Sequence, residues 1–185
     1  MTTALTRHVV LIGLRASGKS TVGAALAAAL GAGFIDLDDR TRDALGAATV
    51  REAFERCGEP SFRAAEARVL TEVLGGTACV VALGGGTPTA PGAGALLERA
   101  RSEGRALIVF LDPPDETLAA RLTAHQGDRP SLTGRGVVEE VAEIAARRRP
   151  LYAALADLRL REPFAVDSVV SIITSQVGSD SSSST

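Results

Sequence analysis

Short apolar runs bounded by turn residues punctuate the chain at Val9–Ile12, Cys79–Leu83 and Leu107–Leu111, and the stretches between them carry helical spacing. Runs that are apolar at successive positions predict strands buried on both faces, and strands alternating with helices predict a mostly parallel sheet. An Ala-rich segment, Thr21–Leu30, ends at Gly31 as a helix with a glycine cap does, and Gly33–Asp36 follows as a short strand. Val50–Cys57 and Pro60–Leu74 predict two consecutive helices broken at Gly58-Glu59-Pro60, with Pro60 near the start of the second. Gly84–Gly94 then reads as a loop, followed by a helix over about Ala95–Glu103. Asp112-Pro113-Pro114-Asp115 stops the third apolar run and starts a helix to about Ala124. Gln126–Gly136 carries three Gly and a Pro between two helical stretches and is expected to be a mobile lid, before helical spacing resumes over Val137–Tyr152. Gly178–Thr185 is mostly Ser and is expected to be disordered. With no repeat and no dividing linker, residues 1–177 are expected to form one α/β domain.

Composition narrows the function. The 185 residues are 45% hydrophobic and 23% charged, enough for one sizeable core. Twenty Lys and Arg against 22 Asp and Glu leave a net charge of −2, without the basic field of a general nucleic-acid binder. No stretch approaches the roughly 20 apolar residues of a membrane span. Cys57 and Cys79 are too few and too far apart for a disulfide scaffold, so a cytoplasmic protein is expected.

Gly13-Leu14-Arg15-Ala16-Ser17-Gly18-Lys19-Ser20 fits GxxxxGK[ST] at every fixed position, after an apolar strand and before a helix. In such a loop, main-chain N–H groups from Ala16, Ser17, Gly18, Lys19, Ser20 and Thr21 point at phosphate oxygens, and the helix N-terminus adds partial positive charge. Lys19 would bridge the β and γ phosphates of ATP and Ser20 would hold Mg²⁺. It is the single Lys beside nineteen Arg. That bias can be purely genomic, so the lone Lys marks only a place where a guanidinium does not substitute.

Phe34-Ile35-Asp36-Leu37-Asp38-Asp39 alternates so that Asp36 and Asp38 project to one side near this loop. One could orient Mg²⁺ and the other accept a hydrogen bond from a substrate hydroxyl; a helix N-cap followed by solvated acids is the alternative. Glu59, Arg63 and Glu66 share a helix face, so the acids can aim the guanidinium at a carboxylate ligand, or form only a surface ion-pair ladder. Phe54 and Phe62 are expected to pack this region together as core. Leu83-Gly84-Gly85-Gly86 ends a strand in three glycines, where something approaches the backbone closely. That strand lacks a terminal Asp, so the acid for Mg²⁺ must come from Asp36. Gly127-Asp128-Arg129-Pro130 in the lid and Arg147-Arg148-Arg149 at a helix end supply further cations, two of the last three being what a helix C-terminus favours anyway. His8 and His125 have no evident partner and receive no catalytic role.

Taken together, GLRASGKSTVG at 13–23, FIDLDD at 34–39, the FxxxGExxFRxxE run from Phe54 to Glu66, LGGG at 83–86, DRP at 128–130 and RRPLY at 148–152 resemble the shikimate kinases in the same order. The resemblance spans about His8 to Leu160. It implies a P-loop kinase fold: a five-stranded parallel sheet in order 2-3-1-4-5, a helical substrate-binding insertion at about 37–75 and a lid at about 126–136. It also implies transfer of the γ-phosphoryl of ATP to the 3-hydroxyl of shikimate, with Mg²⁺, by a cytoplasmic monomer. By the same resemblance Asp38, Arg63, Gly85, Gly86 and Arg148 contact shikimate, while Lys19, Ser20, Asp36 and the lid residue Arg129 serve phosphate and metal. Lys19, Asp38 and Arg129 are the expected catalytic groups. Ser131 and Thr87-Pro88-Thr89 depart from the family pattern, and Arg161–Ala165 shows no recognisable adenine-binding match. Rival readings are a gluconate-type or nucleoside-monophosphate kinase on the same loop, and an ATP-binding module without turnover.

Overall fold

The computed structural model describes residues 5–124, 137–161 and 165–181. Five strands, β1 (His8–Ile12), β2 (Phe34–Asp36), β3 (Val80–Ala82), β4 (Ala106–Leu111) and β5 (Leu158–Leu160), form one parallel sheet in the order β2-β3-β1-β4-β5. The helices are α1 (Lys19–Leu30), α2 (Leu37–Ala44), α3 (Val50–Leu74), α4 (Ala93–Ser102), α5 (Asp115–Ala124), α6 (Val137–Leu155) and α7 (Val166–Ser181).

Central strand β1 shows why the apolar runs are unbroken. Val10 and Ile12 point into a core shared with Leu70 of α3, Leu97 of α4, Leu118 of α5 and Tyr152 of α6. Val9 and Leu11 point the other way, into a core shared with Val22 and Leu26 of α1 and with Val169 and Ile173 of α7. Each fully buried side chain of this kind contributes about 1.5–3 kcal/mol. Because all five strands run in the same direction, their C-terminal ends share one edge, where parallel α/β sheets place their ligands.

The break expected at Gly58-Glu59-Pro60 is present as a kink in α3 at Gly58, whose φ of 73° and ψ of 163° no helix accommodates. Other expected boundaries shift. The segment after β2 is a helix, α2, capped by Asp36. Helix α6 continues past Pro150 to Leu155, so Arg147-Arg148-Arg149 does not sit at a helix end. Helix α7, which the apolar spacing Val166, Val169, Val170, Ile173, Val177 announces, packs on the α1 side and runs to Ser181, four residues into the Ser-rich stretch expected to be disordered. Gln126–Gly136, with Arg129 and Ser131, lies outside the described residues, as do His125, 162–164 and 182–185. Among the described residues, no helix is long and apolar enough to cross a membrane.

Candidate active site

The Gly13–Ser20 loop leaves the end of β1 and turns into α1. Lys19 is buried and folds back across the loop, its Nζ donating to Gly13 O at 3.0 Å, Leu14 O at 2.8 Å and Ser17 Oγ at 3.3 Å. That places its charge over the concavity of the loop, where phosphate oxygens would compete for it. Ala16, Ser17, Gly18, Lys19, Ser20 and Thr21 all line one cavity of about 560 Å³, together with Asp36 and Asp38.

Asp36 and Asp38 do meet in this cavity, though not by strand alternation. Only Asp36 belongs to β2; Asp38 sits in the first turn of α2. The Asp36 carboxylate accepts the Asp38 N–H through Oδ1 at 3.0 Å, as a helix N-cap, and the Ser20 hydroxyl through Oδ2 at 2.5 Å. The cap that the sequence offered as the alternative is therefore present, and the same side chain also lines the cavity. The Ser20 hydroxyl beside the Asp36 carboxylate is a hard oxygen pair that suits Mg²⁺, an ion that keeps several waters and phosphate oxygens. Among the described residues there is no group of three or more His, Cys, Asp or Glu that could hold a metal ion.

A second, smaller cavity of about 110 Å³ adjoins the first. Asp38, Arg63, Gly85, Gly86 and Arg148 all line it, so the five expected acceptor contacts converge. Arg63 binds Glu66 at 2.5 Å and Glu59 at 3.5 Å. Burial works against its charge, but Glu66, Glu59 and Asp38 outweigh it and hold its pKa above the ordinary value. Glu66 is 1% exposed and also accepts the Thr87 hydroxyl at 2.8 Å, so this is no surface ladder. Burial raises its pKa against the opposing pull of Arg63. Arg148 donates to Gly85 O at 2.9 Å, as does the Tyr152 hydroxyl at 2.7 Å. Burial, and the neighbouring charges of Arg63 and Arg147, lower the Arg148 pKa despite the pull of Tyr152; burial pushes the Tyr152 hydroxyl up to about 12.

The three glycines after β3 are each constrained by space. A Cβ on Gly84 would come within 2.3 Å of Asp38 Oδ1 and 2.8 Å of Glu66 Oε1; on Gly85, within 2.9 Å of Arg15 N; on Gly86, within 2.7 Å of Arg63 Nη2. They let Asp38, Glu66, Arg63 and the Arg15 backbone close on one turn.

Sequence reasoning missed several residues. Phe54 and Phe62 pack with their rings tilted and centroids 5.1 Å apart, as expected of core, but both also line the smaller cavity beneath the Arg63 guanidinium. Arg15, Arg51 and Glu55 line it too. On the phosphate side, Arg121 donates to Ala16 O at 3.1 Å, and buried Asp112 joins Arg149 and Arg159 at 2.7 and 2.6 Å. The Pro-Pro stop after Leu111 had marked Asp112 only as a strand end. His8 has a partner after all: buried at the start of central strand β1, its Nδ1 accepts the Cys79 N–H at 3.3 Å, a structural role.

With this geometry in place, comparison with known proteins gives a consistent result. The family model described as shikimate kinase matches residues 15–177. Shikimate kinase 2 of Sodalis glossinidius is 39% identical over 175 residues, covering 94% of this chain and 97% of its own. The shikimate kinase of Nitratidesulfovibrio vulgaris is 42% identical over 175 residues, covering 90% and 93%. Among solved structures, shikimate kinase from Acinetobacter baumannii in complex with shikimate superposes with a TM-score of 0.84 at 29% identity, covering 97% of this chain and 96% of its own.

Proposed function

The chain belongs to the shikimate kinase family, and from that premise we propose how its two cavities divide the work. It is an ATP-dependent kinase that transfers the γ-phosphoryl of ATP to the 3-hydroxyl of shikimate, giving shikimate 3-phosphate and ADP on the route to aromatic amino acids. The larger cavity takes the nucleotide phosphates on the main-chain N–H groups of Ala16–Thr21, with Lys19 leaving its carbonyl partners to meet the terminal phosphates. Ser20 and Asp36 would hold Mg²⁺, which when bound shields the phosphate charge. The smaller cavity takes shikimate, its carboxylate against Arg63 and Arg148 and its hydroxyls toward Asp38.

In the transfer, a bond forms from the acceptor oxygen to the γ phosphorus. The bond from that phosphorus to the β,γ-bridging oxygen breaks, and its electron pair stays on ADP. Asp38 borders both cavities and accepts the hydroxyl's hydrogen bond, then its proton, as the new bond forms. Glu66, Glu59 and the two phenylalanines hold the Arg63 fork in place before substrate arrives, so little ordering remains to be done on binding. Arg129, by the family pattern, adds a cation from the lid. The chain acts as a cytoplasmic monomer, a reading supported by its two free thiols and by a sheet with both faces covered by its own helices.

The observation that carries this reading is the meeting of a phosphate loop with a small chamber that the half-buried Arg63 and Arg148 line together with Asp38. Gluconate offers a carboxylate too, but the Glu59-Arg63-Glu66 frame and LGGG belong to the shikimate kinase pattern, and AMP needs a base-sized acceptor pocket. Release of ADP should therefore depend on shikimate when shikimate, gluconate and AMP are offered separately. Turnover with either of the others and none with shikimate rejects the substrate assignment.

A further inference from the structure

Three described residues, Arg15, Asp38 and Gly85, border both cavities and so surround the opening between them. Gly85 contributes no side chain and has no room for one, because Arg15 N lies 2.9 Å from where its Cβ would be. The opening is thus bordered by one acidic and one basic residue. Lys19 and Arg121 line the phosphate cavity alone, and Arg63 and Arg148 the acceptor cavity alone. Among the described residues, Arg15 is the one cation that borders both.

A phosphoryl group crossing this opening spreads negative charge over its equatorial oxygens. Asp38, needed there for the acceptor hydroxyl, opposes that charge, and a cation facing the same gap offsets it. Arg15 is well placed for this, since its backbone is fixed between the left-handed Ala16 and the Gly85 turn while its side chain is half-buried at the cavity wall. Its being Arg is no evidence in itself, because nineteen of the twenty basic residues are Arg; its position is.

We propose that Arg15 contacts the phosphoryl group during transfer and stays with it afterward, so that it stabilises the transfer and binds the phosphorylated product in preference to the unphosphorylated acceptor. This rests on the shikimate kinase reading.

The test compares wild type with Arg15→Met, which keeps a long apolar stem, and Arg15→Lys, which keeps the charge. Arg15→Gln is a second uncharged variant should Arg15→Met fail to fold. Steady-state kinetics should show kcat reduced about tenfold to a hundredfold in Arg15→Met, with the KM for shikimate and for ATP changed less than about threefold. Calorimetric titration should show affinity for shikimate 3-phosphate weakened about tenfold while that for shikimate moves less than about twofold, and Arg15→Lys should recover part of both losses. Equal weakening of acceptor and product, or an unchanged kcat, overturns the proposal and leaves Arg15 a wall of the pocket. Wild-type chain that leaves shikimate unphosphorylated overturns the functional reading itself, whereas wild-type turnover with an insensitive Arg15→Met overturns this inference alone.

Discussion

Gly86 and the Arg63 guanidinium are so closely apposed that a Cβ on Gly86 would lie 2.7 Å from Nη2 and 2.9 Å from Cζ. The end of an Arg side chain can move aside, so Gly86→Ala should spare the fold and displace Arg63 from its frame. At Gly85 the obstacle is the Arg15 main chain, which belongs to the phosphate loop and moves only with it. Gly86→Ala is therefore expected to raise the KM for shikimate roughly tenfold or more, the scale of one lost charged hydrogen bond, with the KM for ATP nearly unchanged. Gly85→Ala should instead lower thermal stability by about 1–3 kcal/mol and raise the KM for ATP. Kinetics and thermal melts on the two variants decide it. Identical profiles would mean that the glycines do not divide their tasks this way.

Asp36 caps α2, and the proposed function also gives it a share in holding Mg²⁺; one substitution separates the two. Asn caps a helix about as well as Asp, so Asp36→Asn should leave α2 and the melting temperature close to wild type. It removes the negative charge beside Ser20 that suits a hard cation. Activity measured against Mg²⁺ concentration should then shift its half-saturation upward about tenfold, with a smaller effect at saturating Mg²⁺. An unchanged Mg²⁺ requirement would reduce Asp36 to a cap.

Much of this site was legible in the sequence because backbone-level chemistry leaves fixed spacings. A phosphate loop needs its glycines, Lys and Ser in register, and a helix brings Glu59, Arg63 and Glu66 to one face whatever packs around them. Asp36 and Asp38 were paired for the wrong reason: alternation fails after Asp36, and it is the turn into α2 that brings Asp38 back to the cavity. What the sequence hid depends on tertiary contact. Arg15 occupies a free position of the loop pattern, and Asp112 gains its meaning only where β4, α6 and β5 bring two arginines to it. Strand β5 escaped notice because three residues with Arg159 in the middle carry no apolar run.

His8 supplies a pH test. Burial, with Arg105 nearby, holds its imidazole below the usual 6.5. Over the interval from about 6.5 down to that lowered value, the unfolded chain binds the proton and the folded chain does not, so stability falls as pH falls. Above 6.5 both forms are neutral and the term vanishes. His8→Asn keeps an acceptor in reach of the Cys79 N–H and cannot titrate. The wild-type melting temperature should drop more steeply than that of the variant on acidification from pH 7.5 to about 5.5. Parallel curves would show that other groups set the acid limb.

Ala16 holds φ at 63°, and it is the one non-glycine residue among those described with a positive φ. For an L residue the left-handed region costs roughly 1–2 kcal/mol, because the Cβ crowds the following carbonyl. Arg121 donates to the Ala16 carbonyl, so the strained unit is also pinned from α5. Glycine at this position would remove the crowding, while the extra freedom of the unfolded chain takes back about 0.4–1 kcal/mol. Ala16→Gly is thus expected to stabilise the protein by about 0.5 kcal/mol, a rise of a few degrees at most, whereas Ala16→Val, with a branched Cβ in the same conformation, should destabilise it by more than 1 kcal/mol. Because the Cβ takes no part in cradling phosphate, the KM for ATP should stay near wild type in Ala16→Gly. A loss of stability in the glycine variant would show instead that the methyl group packs favourably enough to outweigh its strained backbone.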